Sequence, residues 1–366
     1  MSNINFIGKI RKLKENGYSE EEFSGGLIKK KLRFQMICGD SVQWLEVVAL
    51  VWKDAKKNRI YTLKSVKDGK DEKMEVQWDN RFDEGVVNSV AGYKKWVIDT
   101  DTFAHRKELE DGGFADELAK SKKKRKEFIH AADFIDYLVK VLDSEKSKDM
   151  VFRVTGDVDF SYSEKNDTYY RTFVPQKITR VPDDTKQICE GSMKVYFSEH
   201  AVDDTLTDET GDIIFNGYIQ NYFSNIKGSA FVPMSFTINK DAEMAEGFKT
   251  IFDDVEDEKV MELGVVVNFI NGSQQVSITE DMLTDKQRKM IALKMTTLEK
   301  IASELGGTVR GDRVTKTELK ELMRGYSGGA EDTCFGVTDL IRKPIKQEIV
   351  KQQESIDIFA DDDEDI

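Results

Sequence analysis

The chain has 366 residues, a formal net charge of -13 and 39% hydrophobic residues, which suits two or three domains with real cores. No apolar run reaches the length of a membrane span, and the first residues lack the apolar core of a secretory signal. The three cysteines and three histidines are widely spaced, which is typical of neither a disulfide framework nor a zinc site. We therefore expect a cytoplasmic protein without a metal or a cofactor.

Charge is distributed unevenly along the sequence. Residues 1–130 contain 27 basic and 22 acidic residues, whereas residues 354–366 contain seven carboxylates and no basic residue. The net acidity therefore does not exclude a nucleic-acid partner, because a basic front and an acidic tail together are typical of proteins that bind nucleic acid.

The first hundred residues predict a sheet. Segments rich in Ile, Val, Trp, Tyr and Phe are separated by clusters of Gly, Asn, Asp and Lys, as strands and turns require. Apolar and polar side chains alternate over 31–36, which indicates an antiparallel strand with one face in water. The nearly all-apolar segment 42–52 predicts a strand buried on both faces, with Trp44 in the core. The predicted strands are 4–14, 27–37, 42–52, 59–66, 74–82 and 94–99.

The pattern then changes from strands to helices and back. Residues 106–127 are highly charged and predict a mobile connection. Residues 130–143 carry apolar side chains at helical spacing and predict an amphipathic helix that packs on a barrel. From residue 150 short strands resume and indicate a second sheet of similar length. These predicted strands are 151–162, 168–180, 193–198, 212–223, 229–238 and 260–270.

After residue 278 the pattern favours helices again. Residues 285–305 have helical apolar spacing and end at two glycines, a common helix stop. Residues 315–324 are a further candidate helix, capped by Thr315 or Thr317. Beyond Glu348 the chain cannot bury enough apolar surface to offset the entropy of ordering, so we expect disorder.

These patterns predict a mainly β fold with some helix, arranged as tandem OB-fold (Greek-key β-barrel) domains, because strand-rich blocks with an interposed helix and aromatic-basic faces are typical of that fold. We predict a basic first OB-fold over 1–103, a charged linker and amphipathic helix over 104–149, and a second OB-fold over 150–278. A helical region over 279–347 and a disordered acidic tail over 348–366 complete the predicted organisation.

Aromatic and basic residues interleave on the predicted strands, and this is the main functional signal. Flat rings stack on unpaired bases and cations neutralise phosphates, so such a surface binds single strands with little sequence preference. Two alternatives stay open, because aromatic residues on strands commonly belong to the core and lysine-rich strands are commonly solvated faces. Core and binding roles are equally supported for Tyr169 and Phe173. The candidate DNA-binding residues are Lys29, Lys31, Arg33, Trp52, Lys53, Lys56, Lys57, Arg59, Tyr61, Arg81, Phe82, Lys94, Lys95, Trp96, Tyr169, Arg171 and Phe173.

Catalytic motifs for nucleotide hydrolysis, zinc-dependent proteolysis and serine hydrolysis are missing from the sequence. Asp157 and Asp159 share a strand face and could hold Mg²⁺ as in a nuclease. We favour a solvated polar face opposite buried apolar residues, and we interpret Asp99 and Asp101 in the same way. No catalytic residue and no metal ligand is therefore assigned.

The acidic tail combines carboxylates with apolar residues at both of its ends. A flexible peptide of this kind could enter a basic, aromatic groove, dock on partner proteins, or simply keep the protein soluble. The predicted partner-binding residues are Ile358, Phe359, Asp361, Asp362, Asp363, Glu364, Asp365 and Ile366.

Several segments resemble single-stranded DNA-binding proteins of bacteriophage replication systems. They are INFIGKIRKL, GGLIKKKLRFQMICG with SVQWLEVVALVW, FRVTGDVDFSY and the terminal DDDEDI, so the resemblance covers 3–270 and the last dozen residues. It implies protection of single-stranded DNA during replication, recombination and repair in the host cell cytoplasm. It also implies that the tail recruits replication or recombination proteins, although no Pro-Phe pair ends this tail as in the bacterial pattern.

Two other classes of protein remain open. One is a β-rich phage structural or assembly protein, which the acidic charge and low proline content suit. The other is a Mg²⁺-dependent DNA-processing enzyme that acts through Asp157 and Asp159.

Overall fold

The protein is mainly β, with one large mixed sheet and short helices. The structure is a computed structural model, and it describes residues 2–66, 70–253, 255–277, 284–293, 295–297, 300, 308–326 and 329–345. The strands are β1 (Asn3–Ile10), β2 (Tyr18–Phe23), β3 (Leu27–Cys38), β4 (Ser41–Trp52), β5 (Arg59–Lys64), β6 (Glu72–Gln77), β7 (Trp96–Asp99), β8 (Arg125–Phe128), β9 (Val151–Ser163), β10 (Thr168–Arg180), β11 (Ile188–Phe197), β12 (Ile213–Phe223), β13 (Gly228–Ile238), β14 (Met261–Ser277), β15 (Thr308–Leu322) and β16 (Glu331–Asp332). The helices are α1 (Glu84–Ser89), α2 (Phe103–Asp111), α3 (Ala115–Lys122), α4 (Ala131–Asp143), α5 (Asp204–Thr210), α6 (Ala245–Asp253), α7 (Asp285–Ala292) and α8 (Val337–Leu340). No helix in these ranges is long and apolar enough to cross a membrane.

Five strands pair in a closed circuit that we call the first ring. Its order is β1, β3, β4, β10, β9 and back to β1, and every pair is antiparallel except β4 with β10, which meet at Leu45 and Phe173. Strands cross closely at Gly8, where a Cβ atom would lie 1.9 Å from the carbonyl oxygen of Ile37. The inward side chains, including Phe6, are buried and form part of the main core.

Five further strands form an equivalent circuit, the second ring. Its order is β11, β12, β13, β15, β14 and back to β11, again with one parallel pair, which joins Thr237 of β13 to Glu318 of β15. Strands β1 and β11 pair over residues 3–7 and 188–192 and connect the rings. The rings therefore repeat the same strand order although their sequences show no clear repeat.

Each ring also has a helix between its third and fourth strands. In the first ring this is α4, which begins at the cap residue His130, whose Nδ1 accepts the Ala132 N–H at 3.2 Å. Phe134, Ile135 and Leu138 on one side of α4 are fully buried, so the predicted helix over 130–143 and its apolar stripe are confirmed. In the second ring the equivalent helix is α6.

Strand pairing corrects the predicted division of the sheet. Strands β9 and β10, assigned above to a second fold over 150–278, close the first ring, and β15 closes the second. The strand positions themselves were predicted well because they depend on local sequence. The pairing partners of these strands were not predicted, because the parallel pair that closes each ring joins two strands that are distant in the sequence.

Residues 315–324, predicted as a helix, lie mostly in strand β15. Glu, Leu, Lys and Met favour helices locally, but Thr317 and Leu319 are buried on one face of a strand that pairs with β14 over most of its length. Tertiary pairing overrides the local propensity here. The region 279–347 is therefore not wholly helical, since in its described part β15 and β16 accompany α7 and α8.

Residues 106–127, predicted as a mobile connection, contain α2, α3 and the start of β8. The guanidinium of Arg106 contacts both carboxylate oxygens of Asp99 at 2.5 and 2.6 Å and donates to Ser121 Oγ at 3.1 Å. Asp99 and Asp101 are buried, so their interpretation as a solvated face is wrong. These buried charges hold the two helices against the end of β7, which composition could not indicate.

Three further differences concern the remaining segments. Strand β2 was not predicted. Helix α7 ends at Ala292, within the predicted 285–305 helix, and most of the rest of that prediction lies outside the described residues. The predicted acidic tail over 348–366, with all of its partner-binding residues, also lies outside them.

Candidate nucleic-acid interface

The outward side chains of β3 and β4 form a surface that we call the first face. Burial alternates along both strands, with Leu32 and Phe34 inside the ring and their neighbours outside. The predicted burial of both faces of 42–52 is therefore wrong, since Leu50 on the outer side is 55% exposed. The first face consists of Lys29, Lys31, Arg33, Trp44, Glu46, Val48, Leu50 and Trp52.

Trp52 lies at the end of β4 and is 37% exposed. Its backbone is fixed by Asn58, whose Oδ1 accepts the Trp52 N–H at 2.8 Å and whose Nδ2 donates to the Trp52 carbonyl at 2.9 Å. The ammonium of Lys57 lies 5.4 Å from the ring centroid. A partly exposed aromatic side chain on a fixed backbone can stack on a base, while the cation beside it contacts a phosphate.

Trp44 is the functional candidate that sequence reasoning missed. It lies on the first face, where the guanidinium of Arg33 is 4.4 Å from the centroid of the Trp44 ring. The ammonium of Lys14, in the segment that follows β1, is 5.3 Å from the same centroid. Its position two residues before the charged Glu46 was the available signal, because alternate residues of a strand share a face.

Several cations of this surface already have acidic partners. Glu46 contacts Lys31 at 2.8 Å and Arg33 at 3.9 Å, and Glu22 of β2 contacts Lys53 at 3.2 Å. Lys29 forms no ion pair within 4 Å in the described part of the chain, although Glu21 of β2 is directly opposite it. Lys56 is exposed in the turn after β4. The first face is thus basic, but its charge is partly balanced before any ligand binds.

The β5–β6 hairpin continues the basic and aromatic sequence beyond Trp52. Arg59 pairs with Glu75 at 3.1 Å, and Tyr61, two residues further on the same side of β5, is 76% exposed. Lys94 is exposed and lies 5.6 Å from the ring centroid of Tyr93. Tyr61 and Lys94 border the same open groove, so the structure brings these two predicted residues together.

Arg81 has a structural role. Its Nε donates to the Asp133 carboxylate of α4 at 2.9 Å, and its guanidinium lies between the rings of Trp78 and Phe82, at 4.0 and 4.2 Å from their centroids. These contacts connect the turn after β6 to the helix. Phe82 remains 59% exposed, whereas the cation of Arg81 is already engaged.

Five other predicted binding residues are buried or partly buried. Phe173 is buried between Phe6 and Phe269, and Trp96 packs on Phe134 with ring centroids 5.0 Å apart. The sequence could not separate core from binding aromatics because both alternate on strands. The others are Lys95, buried and paired with Glu127 at 2.9 Å, Tyr169, whose ring centroid lies 4.8 Å from that of Tyr162 with the rings tilted by 45°, and Arg171.

Arg171 lies where the two rings meet. Its guanidinium packs on the rings of Phe173 and Phe269 at 5.0 and 4.9 Å and donates to Thr317 Oγ1 at 3.0 Å. Burial lowers the pKa of this side chain, because the surrounding apolar rings disfavour its charge. Arg171 therefore contributes to the contact between the first and second rings of strands rather than to an open surface.

The equivalent surface of the second ring, which we call the second face, is formed by the outward side chains of β12 and β13. These two strands contain no charged residue. Phe231 at the centre of this face is buried beneath Phe335 and Leu340 of the chain's own residues 333–340. Tyr222, near the end of β12, is 62% exposed.

Asp157 and Asp159 lie exposed on the outer side of β9, opposite the buried Val154, Val158 and Phe160, as the solvated-face interpretation predicts. Asp159 Oδ1 accepts the Phe160 N–H at 2.8 Å. No group of three or more His, Cys, Asp or Glu residues in the described ranges is arranged to hold a metal ion.

The solved structures that match this chain include two of low similarity, described below. No protein-family model and no curated protein matches the chain. The wild-type single-stranded DNA binding protein from Thermus aquaticus is 10% identical, with a TM-score of 0.34, over 90% of this chain and 96% of that chain. A deletion variant of that protein is 10% identical, with a TM-score of 0.31, over 74% and 87%. Likeness at this level assigns neither a fold nor a function, so both are inferred from strand pairing and side chains.

Proposed function

We propose that the protein binds single-stranded DNA along the first face, with little sequence preference. The observation that carries the proposal is the partly exposed side chain of Trp52, whose backbone is fixed by Asn58 and whose ring lies beside Lys57. It stands at the end of a strand pair whose outer side also carries Lys29 and Arg33. Base stacking on such a ring contributes about 1–3 kcal/mol per base and tolerates any base.

We further infer that each ring is an OB-fold and that the two are arranged in tandem. Support comes from the strand order, in which the third and fifth strands close each ring in parallel and a helix precedes the fourth strand. In OB-folds, oligonucleotides bind across the second and third strands, which here are β3 and β4. The domains that follow from this inference are 3–180 and 188–322, with residues 53–130 inserted into the first.

The aromatic and the basic side chains of the first face have different roles in the proposed binding. Trp52 and Trp44 provide surfaces for stacking, and Lys29, Lys56 and Lys57 lie where they can neutralise phosphates. The cations contact the DNA backbone and the aromatic rings stack on any base. The site therefore recognises single-stranded DNA without regard to its sequence. The proposed activity is binding and involves no catalytic step.

A titration with a fluorescent oligo-dT of about 30 nucleotides tests the proposal, since a single OB-fold covers about 4–16 nucleotides. We expect a large rise in anisotropy at about 50 mM salt and much weaker binding at about 200 mM, because binding releases counterions from the strand. Absence of binding at the lower salt, also after deletion of residues 354–366, would rule the proposal out.

The acidic tail, including Phe359 and Ile366, is proposed to regulate this site and to recruit replication or recombination proteins in a phage-type system. Support comes from its charge, which matches that of a nucleic-acid strand, and from the resemblance to phage proteins described above. Deletion of residues 354–366 is expected to strengthen oligo-dT binding at low salt. Equal affinity of the full and shortened chains would leave the tail without a role in binding.

A further inference from the structure

The carboxylate of Glu46 lies at the centre of the first face, between two cations. Glu46 is directly opposite Arg33 across the β3–β4 pair, and Lys31 is the diagonal neighbour on β3. One carboxylate oxygen, Oε1, lies 2.8 Å from Lys31 Nζ, and the other, Oε2, lies 3.9 Å from Arg33 Nε. The two cations thus share a single anionic group with one oxygen for each.

The same arrangement suits a phosphodiester. A phosphodiester also carries one negative charge on two terminal oxygens, and Arg and Lys both bind such oxygens with charge-assisted hydrogen bonds. The guanidinium of Arg33 is held at 4.4 Å over Trp44, which fixes the direction of its donors before a ligand arrives. The side chains of Lys31 and Arg33 are 38% and 51% exposed, so a strand can reach both.

We propose that Lys31 and Arg33 form a phosphate-binding position on the first face and that Glu46 occupies it in the free protein. In the complex, a backbone phosphate of the single strand takes the place of the Glu46 carboxylate, which turns into solvent. Partly exposed ion pairs contribute little to stability, so the exchange costs little. The inference rests on the proposed function and names the group that sets the affinity of that site.

The neighbouring pairs support this assignment. Of the cations on the outer side of β3, Lys29 is opposite the uncharged Leu50 of β4 and opposite Glu21 of β2, and neither it nor Glu21 forms an ion pair within 4 Å in the described residues. Glu46 is the one charged residue of β4. The other outward residues of β4 are apolar or aromatic. Glu46 is therefore the single carboxylate of β4, and it lies next to the two cations Lys31 and Arg33 of β3.

Replacement of Glu46 by glutamine, Glu46→Gln, removes the competing charge and keeps the shape. We expect affinity for a ~30-nucleotide oligo-dT at about 50 mM salt to rise about threefold to tenfold, the range that follows from breaking one or two exposed ion pairs. The control is Glu256→Gln, which changes the net charge equally and removes an ion pair with Lys259 just before β14 in the second ring. We expect Glu256→Gln to change affinity less than twofold.

An abasic strand with the same number of phosphates separates phosphate from base contacts. The gain from Glu46→Gln is expected to persist on the abasic strand, because it acts on the phosphate. Equal affinities of Glu46→Gln and Glu256→Gln, with unchanged thermal unfolding, would overturn the inference while the proposed function stands. Failure of the unmodified protein to bind any strand would instead remove the proposed function itself.

Discussion

The two rings repeat one strand order but present opposite surfaces at the same position. The first face has cations on β3, the exposed Trp52 and Leu50, and little cover. The second face has no charge on its strands and is covered by Phe335 and Leu340. One architecture thus gives an open, basic surface in one copy and a closed, apolar one in the other. Function here depends on the outward residues of two strands rather than on the fold.

Charge reversal on the first face should have the largest effect. Lys29→Glu combined with Lys57→Glu places two carboxylates beside the path of the strand, where they repel phosphates. We expect oligo-dT affinity at about 100 mM salt to fall about a hundredfold or more, measured by anisotropy. The matched control, Lys227→Glu with Lys249→Glu on the second ring, changes the net charge equally and should change affinity less than threefold. Similar losses in both variants would mean that overall charge, not the first face, determines binding.

Loss of the exposed ring should have the next largest effect. Trp52→Ala removes a stacking surface and is expected to weaken oligo-dT binding by up to about 3 kcal/mol. Tyr222→Ala removes an exposed ring from the corresponding strand pair of the second ring and should leave affinity unchanged. If Tyr222→Ala weakened binding as much as Trp52→Ala, the two faces would share the strand and the comparison between them would fail.

Uncovering the second face tests whether its cover hides a binding site. Leu340→Ala removes a fully buried side chain from the contact with Tyr196 and Phe231 and should lower the free energy of unfolding by about 2 kcal/mol. Urea denaturation measures this loss. Oligo-dT affinity should remain within twofold, because the exposed strands carry no cations. A clear gain in affinity would show that the cover competes with DNA.

Acid should loosen the insertion of the first ring, which is held by buried carboxylates. Burial favours the neutral acid of Asp101, but hydrogen bonds from Ser121, Lys124 and the Thr102 N–H outweigh it and lower its pKa to about 2. Because the folded pKa lies below the ordinary 3.8, the carboxylate stabilises the fold fully above about pH 4, and this contribution is lost as the pH falls through 4 towards 2.

Asp101→Asn removes that contribution. We expect the variant to be less stable than the unmodified protein by about 1–2 kcal/mol at pH 7 and the difference to shrink near pH 2. Urea denaturation at both pH values provides the measurement. A difference that is the same at pH 7 and near pH 2 would show that the geometry of the asparagine, not the lost charge, causes the change.

The sequence predicted local features and missed those that depend on distant contacts. Nearly all strands of both rings and helix α4 were found from the spacing of apolar residues. The basic side of β3 followed from its alternation. Trp44 was placed in the core, however, because Glu46 is the one charged residue of β4 and a single charge is a weak signal of which side faces water. Arg81 and Phe173 were predicted to bind DNA, since only the packed structure shows their partners Asp133 and Phe6.

Photochemical cross-linking to an oligo-dT that carries 5-iodouracil tests the central claim most directly, because the reaction favours aromatic side chains stacked on the base. Cross-linked peptides identified by mass spectrometry are expected to contain Trp52 or Trp44 of the first face. Cross-links found mainly at Tyr218 or Tyr222 of the second face would contradict the account.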